Sequence, residues 1–196
     1  MTGPKKLIFP HTASRRVVLH PASGTDQAGF AQIFVRTGVE SVRPAVRPGR
    51  GTMRAHAAFH ISTTATNERL GFAGLHALDP AGHVRCAVYL DPQRARLGVG
   101  SEAILLMINY AFATLNVDRV IGQTTEASFA SFGITGGDKE IGALRDHMYF
   151  RGRLWDLHNF EIERPKWEEY IDRNATGVLP PPLSWRAAPP RPLEVS

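Results

Sequence analysis

The sequence predicts an α+β domain: a mostly antiparallel sheet flanked by helices. Three observations carry this. Three consecutive segments between residues 57 and 90 alternate apolar and polar side chains with period two. The pattern then changes to helical spacing over Ser101–Leu115. A short apolar segment, Val120–Thr124, follows at once, as the strand after a helical crossover does.

The elements follow in order. Residues 1–14 read as a flexible tail. Arg15–Leu19, with Val17-Val18-Leu19, reads as a first strand stopped by Pro21. Thr25-Asp26 can cap a helix running to about Arg36, with Ala28, Ile33 and Phe34 among its apolar positions. Arg43–Met53 is rich in Pro, Gly and Arg and reads as a mobile basic loop. Ala57–Thr63 alternates Phe59 and Ile61 against His60 and Ser62. Arg69–Leu78 carries Leu70, Phe72, Leu75 and Leu78. Val84–Leu90 sets Val84, Cys86, Val88 and Leu90 against Arg85, Ala87 and Tyr89. Asp79-Pro-Ala-Gly82 is a turn, so these three strands form an antiparallel meander.

Ala103, Ile104, Met107, Ile108, Ala111, Phe112 and Leu115 lie at helical spacing, and Asn116 ends that helix. Val120–Thr124 is then expected parallel to Val84–Leu90. Further strands are expected at about His147–Arg153 and at Leu154–Glu163, which Pro165 closes. Trp167–Arg173 reads as a short helix. From Gly177 on, six prolines in twenty residues predict an extended tail. The domain is therefore expected over 15–176, between tails at 1–14 and 177–196.

Composition excludes several classes. With 43% apolar residues in 196, the chain can bury a core and is not wholly disordered. No apolar run reaches the ~20 residues of a membrane helix, and the apolar stretch Leu7-Ile8-Phe9 is too short for a signal-peptide core. The single cysteine, Cys86, excludes an internal disulfide and a cysteine-based zinc site. A soluble cytoplasmic protein is expected, with no membrane partner, as a monomer or homodimer. Residues 1–54 hold nine Lys or Arg against Asp26 and Glu40, a net of +7. That excess suggests an anionic partner near the N-terminal end, or simply a solvated basic face.

The chemistry concentrates in Tyr89-Leu-Asp-Pro-Gln-Arg-Ala-Arg-Leu-Gly-Val-Gly-Ser-Glu-Ala103. A strand ends, a turn rich in Arg and Gly follows, and a helix begins. Helix N-termini expose unpaired N–H groups and a partial positive charge. Glycines let the backbone approach an anion closely. Together these make a phosphate cradle, with the N–H groups of Leu97, Gly98, Val99, Gly100 and Ser101 as ligands of a diphosphate and Arg94 and Arg96 adding charge. Gly98–Ala103 also satisfies G-x-G-x-x-A, with Asp118 downstream. In a dinucleotide fold that acid ends the next strand, whereas Asp118 precedes Val120–Thr124, and the upstream strands are antiparallel. No G-x-x-x-x-G-K-[ST] sequence is present, which excludes a P-loop nucleotidase.

This segment resembles the acyl-CoA-binding motif of the GNAT superfamily of N-acetyltransferases, most of all the branch that acetylates N-termini of ribosomal proteins. The likeness extends over about residues 15–173. Gly71-Phe-Ala-Gly-Leu-His-Ala-Leu-Asp79, Leu90-Asp-Pro92, Gly142-Ala-Leu-Arg-Asp-His147, Gly152-Arg153, Trp155-Asp156 and Arg164-Pro-Lys-Trp167 are similar to that branch in order and kind. The resemblance implies a twisted sheet splayed open between the Val84–Leu90 and Val120–Thr124 strands. It implies acetyl-CoA or another acyl-CoA as co-substrate, with the pantetheine arm pairing with backbone groups of Val88, Tyr89 and Leu90. Thr125-Glu-Ala-Ser128 is similar to the family's Asn-x-x-Ser, so Thr125 is expected to contact pantetheine. Two departures stand out. Arg96 replaces a common glycine, and Phe132 stands about where many relatives carry a tyrosine that protonates the leaving thiolate.

Acyl transfer to an amine needs a base or water relay and a donor to the oxyanion, here a backbone N–H near Tyr89-Leu90. The candidate bases are Glu126, His76, His60 and His147. Ser128 and Ser131 are candidate acids or substrate contacts. His56 and His60 are four apart on a strand, a poor zinc spacing, and no metal is expected. Cys86 faces the core by alternation and is expected inert. The expected acceptor is a primary amine, on a small molecule or at a protein N-terminus. Two other readings stay open: transfer from aminoacyl-tRNA, which the basic N-terminal segment would serve, and a non-catalytic acyl-CoA-binding module.

Overall fold

The computed structural model describes residues 5–22, 39–42, 56–91, 98–124, 140–150 and 153–174. They form one eight-stranded sheet in the order β1-β3-β4-β5-β6-β8-β7-β2. The strands are β1 (Val17–Pro21), β2 (Val39–Val42), β3 (Ala57–Thr63), β4 (Arg69–Asp79), β5 (His83–Leu90), β6 (Arg119–Thr124), β7 (Glu140–Phe150) and β8 (Arg153–Glu163). Every neighbouring pair is antiparallel except β5 and β6, which are parallel. The crossover between those two contains α1 (Val99–Thr114); α2 (Arg164–Arg173) follows β8.

The meander of β3, β4 and β5 matches its sequence reading because the turn residues suit the geometry. Asp79 Oδ1 accepts from Ala81 N at 2.7 Å and Asp79 O from Gly82 N at 2.9 Å. Gly82 has φ +85°, which a side chain would strain. Val17, Leu19, Phe59, Ile61, Ala73, Leu75, Val84 and Cys86 share the face that α1 covers, and all are fully buried. Val120, Phe160 and Ile162 continue that core across β6 and β8.

Several elements differ from expectation. β1 runs to Pro21, which closes it rather than stopping it short. β2 was not foreseen: four residues are too few to show a period. β7 begins at Glu140, well before His147, because Gly142 and Asp146, both at positive φ, interrupt its alternation. α2 begins at Arg164, with Pro165 in its first turn, where a missing N–H costs nothing. The expected helix at 25–36, the loop at 43–53 and the tail at 177–196 lie outside the described residues.

Residues 5–14, expected as a tail, instead pack across α1. Ile8 is buried, Asn109 Nδ2 donates to Phe9 O at 2.7 Å, Lys5 pairs with Asp118 at 2.7 Å, and Lys6 pairs with Asp172. This segment lies along the flank of α1 that carries Asn109. Leu105 sits one turn earlier on that flank and is buried too. Hence α1 is buried almost all round rather than on one stripe.

The C-terminal end of α1 leaves carbonyls without partners, and its last turn contains no basic residue. The buried Arg164 supplies both needs. Its Nη2 donates to Phe112 O at 2.7 Å and Leu115 O at 3.2 Å, and its Nε to Val117 O at 2.9 Å. Its guanidinium lies 5.1 Å from the Phe112 ring centroid, and Trp167, fully buried, stacks on the other aromatic side of the same core. No described helix is long and apolar enough to cross a membrane.

Candidate active site

The parallel pair at the centre of the sheet separates part-way along. His83, Val84, Arg85 and Cys86 face Arg119, Val120, Ile121 and Gly122, and the ladder ends there. Both strands continue. β5 stays paired with β4 as far as Leu90, opposite Gly71, and β6 stays paired with β8 as far as Thr124, opposite His158. Among the described residues, the four residues Ala87–Leu90 therefore have β4 on one side and no strand partner on the other, which leaves an opening between β5 and β6. At about 3.3 Å per residue, this is roughly 13 Å of strand edge.

Gly71 helps hold the opening. A β-carbon there would collide with the Tyr89 carbonyl oxygen and come within 2.9 Å of Leu90 Cα. Only glycine lets the end of β5 press this closely onto β4, on the side away from β6. Asp91 N then donates to Leu70 O at 2.7 Å, which continues the same pairing past the strand end.

Beside the opening stands the N-terminus of α1. Gly98 is its N-cap, with φ +87°, and accepts the first helical bond from Glu102 N at 3.1 Å. Gly98 has no side chain with which to cap the helix, and among the described residues none makes a cap bond to its first turn. Leu90 reaches this turn: a β-carbon on Gly100 would lie 3.5 Å from Leu90 Cδ1, an ordinary contact.

Glu102 is buried in that turn and ties β1 to it. Its Oε2 accepts from Ser14 Oγ at 2.6 Å and from Arg16 N at 2.9 Å, and its Oε1 lies 3.6 Å from Arg16 Nε. The Arg16 guanidinium consequently lies over Gly98, where a β-carbon would collide with it. Arg16 joins the set that sequence reasoning missed. Its signal was membership of the basic N-terminal segment, and nothing local pointed to a glycine 82 positions away.

The other residues singled out from sequence fall into three groups. Val88, Tyr89, Leu90, Gly98, Val99, Gly100 and Ser101 are brought together around the opening. Val88 and Leu90 pack on the α1 side, while Tyr89 lies on the opposite face, stacked on Phe72 with centroids 4.9 Å apart and planes at 24°. Burial pushes the Tyr89 phenol up from its ordinary range, reinforced by the nearby Cys86 thiol.

His76 is not brought there. It faces Arg85, beside the closed part of the ladder, while Leu90 faces Gly71. Burial, and then Arg85, hold its pKa below the usual histidine value. His60 is buried on β3 opposite Phe72, and Phe160 packs in the core. Cys86 is fully buried, which pushes its thiol up to about 12. Arg94, Arg96, Leu97, Thr125, Glu126, Ser128, Ser131 and Phe132 lie outside the described residues. Among the described residues, no three His, Cys, Asp or Glu side chains cluster as metal ligands would.

A family model described as an acetyltransferase (GNAT) domain matches residues 16–136. The chain belongs to this family. Its split parallel pair and crossover helix lie inside the matched segment. The chain is 33% identical over 106 residues to the uncharacterized N-acetyltransferase YoaA of Bacillus subtilis (strain 168), covering 52% of this chain and 59% of that protein. It is 30% identical over 109 residues to the uncharacterized N-acetyltransferase p20 of Bacillus licheniformis, covering 53% and 60%. Less than two thirds of either relative is thus spanned. Among solved structures, a probable GNAT-family acetyltransferase from Chromobacterium violaceum ATCC 12472 superposes with TM-score 0.55 at 18% identity, covering 86% of this chain and 95% of that one. The spermidine/spermine N-acetyltransferase SpeG of Vibrio cholerae superposes with TM-score 0.58 at 14% identity, covering 79% and 97%. These two likenesses are of fold.

Proposed function

We propose that this GNAT protein is an N-acyltransferase that moves an acetyl or other acyl group from acyl-CoA to a primary amine, on a small molecule or at a protein N-terminus. The observation that carries this reading is the opening beyond Cys86 and Gly122, set beside the uncapped start of α1. The diphosphate would meet the helical N–H groups after Gly98. The pantetheine arm would add to the free edge of β5 as a strand adds to a sheet. Arg94 and Arg96 would add positive charge at the turn, and Thr125 a hydroxyl toward the arm.

The reaction joins two substrates directly. The amine nitrogen forms a bond to the thioester carbonyl carbon, and the carbon–sulfur bond breaks. The Leu90 backbone N–H serves the oxyanion, because Asp91 N, and by alternation Tyr89 N, are directed at β4. The proton lost by the amine goes to Glu126, two residues past the end of β6, directly or through water. The departing thiolate takes its proton from water or Ser128. Cys86 does not carry the acyl group: it is enclosed and stays protonated, so attack is expected within a ternary complex.

The test is incubation with acetyl-CoA, a panel of primary amines and a thiol reagent. Amine-dependent release of CoA is expected. Tight acetyl-CoA binding without turnover would leave a binding module, and product formed only with charged tRNA would replace the donor. Among the described basic residues up to Arg16, Lys5, Lys6 and Arg16 pair with carboxylates of their own chain, which leaves only the exposed Arg15 to serve the second outcome. A likeness to the branch acting on ribosomal proteins makes a peptide N-terminus one arm of the amine panel.

A further inference from the structure

The N-terminal segment is tied to α1 by polar contacts that recur every seven residues, at Glu102, Asn109 and Asn116. Lys5 Nζ donates to Asn116 Oδ1 at 2.7 Å, just past the end of α1, and pairs with Asp118. Asn109 Nδ2 donates to Phe9 O at 2.7 Å. Ser14 Oγ donates to Glu102 Oε2 at 2.6 Å, in the first turn. Residues seven apart are about two turns apart and lie on one side of a helix. Residues 5–14 therefore run antiparallel to α1, as a strap along a polar seam.

The strap is lightly held. Ile8 is the one large apolar side chain it buries, whereas Leu7 and Phe9 are exposed. Lys5 and Lys6 pair with exposed carboxylates, and such pairs contribute little. Asn109 Oδ1 is buried without a hydrogen-bond partner among the described residues, so the middle contact satisfies only half of that amide. A segment with few buried apolar contacts opens locally without unfolding the rest.

Its far end meets the donor site. With the strap docked, the Glu102 carboxylate accepts from Ser14 Oγ and Arg16 N and lies beside Arg16 Nε, turned toward β1. Without Ser14 it is a carboxylate in the first turn of a helix, where the partial positive charge of the helix start attracts it. Those N–H groups are the ones the donor reading assigns to the diphosphate. A loosened Glu102 and the diphosphate then compete for one anion site.

We infer that residues 5–14 are a regulatory strap for the donor site, coupled to it through Glu102 as a positioning residue. The docked strap keeps Glu102 away from the diphosphate, and bound acyl-CoA holds the strap down by the same factor. This rests on the acyl-CoA reading above.

The experiment measures acetyl-CoA dissociation constants by calorimetry. Ile8→Ser loosens the strap near Asn109, roughly 16 Å along α1 from Gly98. It is expected to weaken acetyl-CoA binding about tenfold. Glu102→Gln keeps an acceptor for Ser14 and Arg16 but removes the competing charge, so Ile8→Ser combined with Glu102→Gln should bind as Glu102→Gln alone does. Arg164→Ala loosens the opposite end of α1 and should leave the constant unchanged, which separates coupling from loss of stability. On the unaltered protein, acetyl-CoA is expected to slow amide exchange at Lys6 and Ser14, whose N–H groups bond Glu168 and Val17 in the docked strap. That measurement decides the matter if Ile8→Ser does not fold. An unchanged constant in folded Ile8→Ser, a loss that persists in the combined variant, or strap exchange indifferent to acetyl-CoA would overturn the inference and leave the acyl-CoA reading standing. No acetyl-CoA binding by the unaltered protein would overturn both.

Discussion

Cys86 and Gly122 are the last residues to face each other across the parallel pair, although β5 runs on for four residues and β6 for two. Neither strand frays at that point. Each keeps its antiparallel partner on the far side, so the sheet divides into two intact halves. An opening of this kind exposes backbone donors and acceptors in register for an extended ligand.

The division depends on close contact between β4 and β5. Gly71→Val would force the Tyr89 carbonyl away from β4 and into the opening. The expected outcome is a loss of about 1–3 kcal/mol in denaturant unfolding, as overpacking costs. Acetyl-CoA affinity, measured by calorimetry, should fall with it.

Gly98 and Gly100 should respond differently. Gly98→Glu places a side chain at φ +87°, against Arg16, and a negative charge in the proposed anion cradle, so acetyl-CoA binding should vanish. Gly100→Ala adds only an ordinary contact with Leu90 and should fold normally, with thermal stability equal to or slightly above the starting protein. Undiminished CoA affinity in folded Gly98→Glu would remove the cradle from the account.

Arg164 holds the end of α1 from 49 residues away along the chain, at Leu115. Arg164→Ala leaves the carbonyls of Phe112, Leu115 and Val117 without that donor. A destabilisation of about 2–4 kcal/mol is expected, since each buried unsatisfied group costs roughly 1–3 kcal/mol. Activity per folded molecule should be little changed, because the contacts lie at the far end of α1 from Gly98.

Cys86 should resist thiol reagents in the folded protein and react on unfolding. Its folded pKa of about 12 lies above its ordinary 9.0. Between those values the unfolded chain releases a proton that the folded chain retains, so this thiol's contribution to stability is present below about 9 and is lost as pH rises toward 12. Cys86→Ala should flatten that alkaline decline and keep amine-dependent turnover. Loss of turnover without loss of fold would reinstate an acyl-enzyme.

His76 gives the opposite limb. Its folded pKa lies below the ordinary 6.5, so stability is lost as pH falls below that value, where the unfolded histidine takes up a proton more readily. His76→Gln should reduce the acid sensitivity of thermal unfolding. Turnover at neutral pH should stay within about twofold, because His76 faces Arg85 rather than the opening.

Much of this fold was legible because period-two alternation over 57–63, 69–78 and 84–90 is strong, and because the turn at Asp79–Gly82 uses residues with mechanical reasons to be there. The end of β5 and the start of α1, between which the diphosphate is proposed to sit, could be read for the same reason: both signals are local. What depended on distant contacts could not. Composition does not set the level of His76, which follows from a register shift between His76 and Asp79. The Ser14–Glu102–Arg16 cluster joins residues some 86 apart. The burial of Leu105 needs the segment at 5–14 to lie across α1, and a stripe rule assumes that face meets water.

The most direct measurement is amide hydrogen exchange across residues 83–90, with and without acetyl-CoA. Strong added protection over 87–90, and little change over 83–86 where the ladder is already closed, is the predicted result. Saturating acetyl-CoA that leaves 87–90 exchanging as before would contradict a donor seated between the two halves of the sheet.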